Sequence, residues 1–116
     1  MNFENISNDI YNNVGTSLMG YTGKLTRAEI ESVFGKPWES DGDSGDGKVT
    51  VEWILRFEDG TIATIYDWKR YEMGTPRANE LYDWHIGGEN QNAISRVMET
   101  LGRDVSSAPK WAWELA

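Results

Sequence analysis

One stretch constrains the fold more than any other. Over residues 48–58, Val49, Val51, Trp53, Leu55 and Phe57 share one face, and Thr50, Glu52, Ile54 and Arg56 share the other. That period of two is the period of a strand, and it predicts a strand buried on one side. Asp59-Gly60 follows, and residues 61–68 return as a second strand. The dipeptide suits a two-residue type I′ turn, which needs positive φ at both positions. Such a turn sets Phe57 opposite Ile62, Leu55 opposite Thr64, Trp53 opposite Tyr66 and Val51 opposite Trp68. On the other face Ile54 then meets Ile65, and Glu52 meets Asp67. Two facing carboxylates repel, so this register asks for a nearby cation or for a proton on one of them.

Residues 80–86 alternate again, with Tyr82, Trp84 and Ile86 on one side, and Gly87-Gly88 is expected to end this third strand. Helical signals flank the meander. Thr26 and Glu29 form a capping box, Leu25 and Ile30 are spaced as a hydrophobic staple, and Gly35 with Pro37 stops the helix. Residues 90–101 carry Ala93, Ile94, Val97, Met98 and Leu101 on one helical face, with Gly102 as the stop. Phe3, Ile6, Ile10 and Val14 have helical spacing over residues 3–14, and Gly15, Gly20 and Gly23 read as breakers after it. The expected architecture is α+β. An antiparallel three-stranded meander (48–58, 61–68, 80–86) carries helices 26–34, 90–101 and 3–14 on one face, in a single domain spanning 1–116.

Composition narrows the function. The net charge is −8, which argues against duplex nucleic acid as a partner because phosphate contacts need a basic face. With no cysteine, disulfides, thiolate metal sites and cysteine nucleophiles are excluded. Met1-Asn2-Phe3-Glu4-Asn5 lacks the pattern of a secretion signal, and no apolar run suffices for a membrane span, so a cytoplasmic protein is expected. Residues 39–47 form an acidic, glycine-rich stretch read as a mobile loop. In the tail 103–116, Trp111 and Trp113 point the same way if extended; they cover the core or meet a second copy, and the second option makes a homo-oligomer the expectation.

The catalytic inventory is poor. Asp41, Asp43 and Glu52 match positions 1, 3 and 12 of a calcium loop, but Gly45 and Asp46 stand where an oxygen ligand and a glycine are needed. A solvated loop is the better reading, and no metal site is expected. His85 is the single histidine, with no nucleophile motif to serve, so a packed or ligand-contacting role fits it better than catalysis. Glu52 and Asp67, as strand neighbours, suit a salt bridge with Lys69 or Arg56 more than a hydrolytic pair.

Residues 66–88 hold the densest binding chemistry. Tyr66, Trp68, Tyr71, Tyr82 and Trp84 offer flat faces, and Lys69, Arg70 and Arg77 offer cations. Gly87-Gly88 precedes a helix start, where backbone N–H groups can meet an anion. Half of these aromatics are expected in the core by alternation. The remainder suit a nucleotide, with a base on a ring and phosphates on cations. The expected ligand contacts are Trp68, Lys69, Arg70, Tyr71, Arg77, Trp84, His85, Gly87 and Gly88, with no catalytic residue and no cofactor.

Two resemblances add to this. Leu25-Thr26-Arg27-Ala28-Glu29-Ile30 and Phe34-Gly35-Lys36-Pro37, followed by an aromatic strand and Asp-Gly, resemble the repeat of β-lactamase inhibitory proteins and the small lipoproteins of outer-membrane assembly. That implies a helix-plus-meander binding module. Ala63-Thr64-Ile65-Tyr66-Asp67-Trp68-Lys69 and Trp84-His85-Ile86-Gly87-Gly88 resemble a family of small phage-encoded proteins. That implies a viral accessory role, such as blocking host defence. Together the expectation is a counter-defence protein that sequesters a small nucleotide signal without catalysis. The alternatives are an acidic inhibitor of a host defence protein or nuclease, and a metal-independent hydrolase using Glu52, Asp67 and His85.

Overall fold

The computed structural model describes residues 2–40, 48–71 and 73–103. The fold is α+β: a six-stranded antiparallel sheet with two helices packed on one face. The strands are β1 (Phe3–Asn5), β2 (Ser17–Thr26), β3 (Trp38–Glu39), β4 (Val51–Phe57), β5 (Ile62–Tyr66) and β6 (Leu81–Gly88). The helices are α1 (Arg27–Phe34) and α2 (Asn92–Thr100). Strand order is β1-β4-β5-β6-β2, with β3 also paired to β4. Among the described residues no helix is long and apolar enough to cross a membrane. The 41–47 loop, with the Asp41 and Asp43 of the calcium reading, and the Trp111–Trp113 pair lie outside the described residues.

The meander and both flanking helices form where patterning places them. Thr26 caps α1 with the full reciprocal box to Glu29, and Gly35 closes it at φ +91°. Ala93, Ile94, Val97 and Met98 of α2 are buried against β6, β2 and β5. The core is one cluster of Leu25, Ile30, Phe34, Val51, Trp53, Leu55, Phe57, Ile65, Trp84 and Ile86 with that helix face. Trp53 and Trp84 meet edge to face at 5.3 Å. Their indole N–H groups donate to the carbonyls of Gly35 and Leu25, so neither ring leaves a buried donor unpaired.

Three expectations need correction. Residues 3–14 are not a helix. Phe3–Asn5 pairs with β4, Ile6 N donates to the Ile54 carbonyl, and only Ile10–Asn13 winds, as a 3-10 turn. The asparagines there take capping and bridging roles, and pairing with the edge of β4 outweighs weak helix propensity. Next, Ser17–Thr26 is a ten-residue strand despite its glycines. It runs along the sheet edge and absorbs them as bulges, with Gly23 at φ +79° and its N–H on the Asp83 carboxylate. Gly87 and Gly88 also lie inside β6 rather than beyond it.

The third correction is register. Phe57 N donates to the Thr61 carbonyl and Gly60 N to that of Phe57, which leaves Glu58-Asp59-Gly60 as a three-residue loop with Gly60 at φ +90°. This is a turn closed by a glycine bulge, not a two-residue turn. One extra loop residue slides β5 by one position and reverses both of its faces. Ala63 and Ile65 now enter the helix-side core, while Ile62, Thr64 and Tyr66 stand opposite Arg56, Ile54 and Glu52. Asp67 does not oppose Glu52. It is fully buried and accepts from Thr50 N, Thr50 Oγ1 and Val51 N, pinning the entry to β4.

Candidate functional site: an aromatic cup on the open face of the sheet

With this register, one row of side chains crosses four strands on the face away from the helices. Glu52 pairs with Tyr66, Tyr66 with His85, and His85 with Tyr21. The next row is Ile54, Thr64, Gly87 and Leu18. The missing side chain at Gly87 sinks the floor. A Cβ there would come within 2.4 Å of Thr64 Oγ1 and 3.2 Å of the Tyr66 ring. Asn13, Thr16, Ser17, Leu18, Val49 and Trp68 complete its lining. The result is a cup of about 460 Å³, within the span of small-molecule sites, roughly 300–1,000 Å³.

Its surface is aromatic with polar insertions. His85 lies 4.6 Å from Tyr21, 5.3 Å from Tyr66 and 6.4 Å from Trp68, centroid to centroid. Tyr66 and Trp68 stand nearly perpendicular at 6.2 Å, so together they make a corner for a flat molecule. The Trp68 backbone N–H donates to the Tyr82 hydroxyl, and the residue remains 40% exposed. The ammonium groups of Lys48 and Lys69 lie 6.0 and 5.8 Å from that ring. Lys69 reaches this place with φ +54°, its N–H on the Lys48 carbonyl.

Glu52 is the chemical centre. It is 3% exposed, and its Oε2 accepts from Asn13 Nδ2 at 3.0 Å. Burial pushes its carboxyl up to about 7, opposed by the Asn13 hydrogen bond and assisted by the charge of Asp67. Burial, then the Glu52 charge, also drives the Tyr66 phenol up to about 12. Burial lowers His85, with Asp67 pulling the other way, so the imidazole is neutral at neutral pH. Among the described residues three buried side-chain polar atoms lack a hydrogen-bond partner, and two belong to this cup: Thr64 Oγ1 and His85 Nδ1. Unpaired buried polar atoms cost about 1–3 kcal/mol each, so a fold tolerates them where a site needs them.

The structure divides the expected contacts. Trp68 and His85 line the cup, Gly87 forms its floor, and Lys69 flanks Trp68. The others lie elsewhere. Trp84 is fully buried on the helix side, because residues 84 and 85 point to opposite faces. A Cβ on Gly88 would meet the Ala93 methyl at 2.4 Å, so this glycine lets α2 approach the sheet. Paired within β6, Gly87-Gly88 builds no anion cradle at the helix start. Arg70 is buried, bonds the Glu80 carboxylate and the Gly74 carbonyl, and stacks on Tyr82, which fastens the 70–80 loop. Arg77 and Tyr71 are exposed on that loop.

Several cup residues escape sequence patterning: Asn13 because its segment has helical spacing but forms only a 3-10 turn, Leu18 and Tyr21 because β2 is hidden by its glycines, Thr64 and Tyr66 because the turn is one residue longer. Glu52 attracts attention as half of a pair, yet its partners here are Asn13 and the aromatic row. No family model, curated protein or solved structure matches the chain.

Proposed function

We propose that this chain is a binding protein that holds a small nucleotide in the aromatic cup and sequesters it without turnover. The single observation behind this reading is the cross-strand row Glu52–Tyr66–His85–Tyr21, cornered by Trp68 and hollowed at Gly87. A base stacks on Tyr66 or Trp68, and its phosphate lies toward Lys48 and Lys69. Arg70 is committed to Glu80 and Trp84 to the core, so the proposed contacts are Trp68, Lys69, His85, Tyr66 and Tyr21 over Gly87. The resemblance to phage-encoded proteins adds the setting: a stoichiometric sponge for a host defence signal in the cytoplasm.

Native mass spectrometry of the purified protein with a panel of linear and cyclic nucleotides tests this. The expected result is a retained, unmodified nucleotide, lost in Trp68→Ala and Tyr66→Ala variants that still fold. Retention unchanged in both variants would sink the cup as the site. A second reading has one observation in its favour. Glu52, titrating near 7 and separated by Tyr66 from a neutral His85, has the character of a general acid or base. Nucleotide turnover abolished by Glu52→Gln would favour this hydrolase over a sponge.

A further inference from the structure

The cup is polar in a graded way. At its inner end stands the buried Glu52 carboxyl, with Asn13 as its one hydrogen-bond partner among the described residues. Trp68, with Lys48 and Lys69 beside its ring, forms the outer rim. A ligand that matches this gradient is donor-rich at one end and anionic at the other.

Resting on the nucleotide reading, we infer that the cup selects its base by hydrogen-bond donors: a guanine-type edge delivers two adjacent N–H groups to the Glu52 carboxyl, while the phosphate faces Lys48 and Lys69. Asn13 holds Oε2 and so fixes the plane of the carboxyl, as a positioning residue. Two parallel N–H donors on one carboxylate are the same fork that arginine presents, charge-assisted and directional. They also favour the ionised form of a carboxyl that burial alone discourages. Against the ionised carboxylate the other bases fit worse. Adenine and cytosine each set an amino donor beside a ring nitrogen whose lone pair would face the carboxylate, and uracil flanks its one N–H with two carbonyls. A guanine-type base is the one with two neighbouring donors and no intervening acceptor. An ammonium ligand, the other guest of aromatic cages, would have to pass the two lysines at the rim.

Isothermal titration of the full chain at about pH 8, where the Glu52 carboxyl is ionised, with GMP, IMP, AMP, CMP and choline tests this. GMP is expected to bind tightest. IMP, which lacks only the 2-amino donor, should be weaker by about 10- to 100-fold, the value of one hydrogen bond to a charged group. AMP and CMP should be weaker still. Glu52→Gln should bring GMP down to the level of AMP, and the IMP comparison needs no variant at all. If AMP or CMP binds as well as GMP, base selection by Glu52 is overturned while the nucleotide reading stands. If choline alone binds, or nothing does, both are overturned.

Discussion

Glu52→Gln is the most informative single change for stability, because its sign is unusual for a carboxylate. The Glu52 carboxyl has an ordinary value of 4.5 and is raised to about 7 in the fold, chiefly by burial. The folded protein therefore binds a proton that the unfolded chain has released, over the window from about 4.5 to about 7. Stability from this group is fully present below 4.5 and is lost as pH rises through 7. At about 1.4 kcal/mol per pH unit, the loss totals about 3 kcal/mol. Glutamine has the shape of the protonated acid, can accept from Asn13, and does not titrate. Urea denaturation of both proteins at half-unit steps from pH 4 to 8 measures the difference. The variant should gain on the wild type progressively, by about 3 kcal/mol at pH 8, or on the order of 10 °C in Tm. His85 works in the opposite direction below its ordinary value, since burial lowers it, but it is present in both proteins and largely cancels. A difference that is flat with pH, or that shrinks as pH rises, would refute the buried carboxyl.

Other tests probe the frame of the cup. Gly87→Ala must displace Thr64 Oγ1 or the Tyr66 ring and should cost about 1–3 kcal/mol, read by chemical denaturation; a neutral result would mean that the floor is looser than its 2.4 Å approach implies. Thr64→Val removes a buried, unpartnered hydroxyl at equal size, so stability should hold or rise by about 1 kcal/mol, and a clear loss would reveal a partner for that oxygen. Trp84→Ala should cost about 3–5 kcal/mol because the ring is fully buried, whereas Trp68→Ala, 40% exposed, should leave the melting curve nearly unchanged and act on ligand binding alone. Thr26→Ala breaks the capping box of α1 and should cost about 1 kcal/mol in the same assay.

Local signals carry much of this fold in plain view. The capping box at Thr26 and Glu29, the glycine stop at Gly35, and the apolar face of α2 each depend on neighbours within a turn or two of chain. The odd positions of β4 are equally local, since alternation needs no partner to be visible. The site was far less legible. Trp84 and His85 are adjacent in sequence and equally aromatic, yet one is core and the other lines the cup. Arg70 reads as a free cation until Glu80 is seen beside it, buried and bonded. β2 stays hidden because its glycines break any local pattern, while its bulges are paid for by pairing with β6, more than fifty residues away.

What the sequence determines by itself is therefore the central elements: a turn-linked meander with an alternating core, one helix with a capping box and one with an apolar face, in an acidic chain without thiols. What only tertiary structure decides is which faces meet. A single residue in the Glu58-Asp59-Gly60 loop sets whether Tyr66 faces the helices or the open side, because side chains alternate with a period of two. The N-terminal segment then runs along β4 and places Asn13 on Glu52, a contact 39 residues apart that no local pattern encodes. The cup exists because strands distant in sequence bring Glu52, Tyr66, His85 and Tyr21 into one row, and because Gly87 leaves room above them.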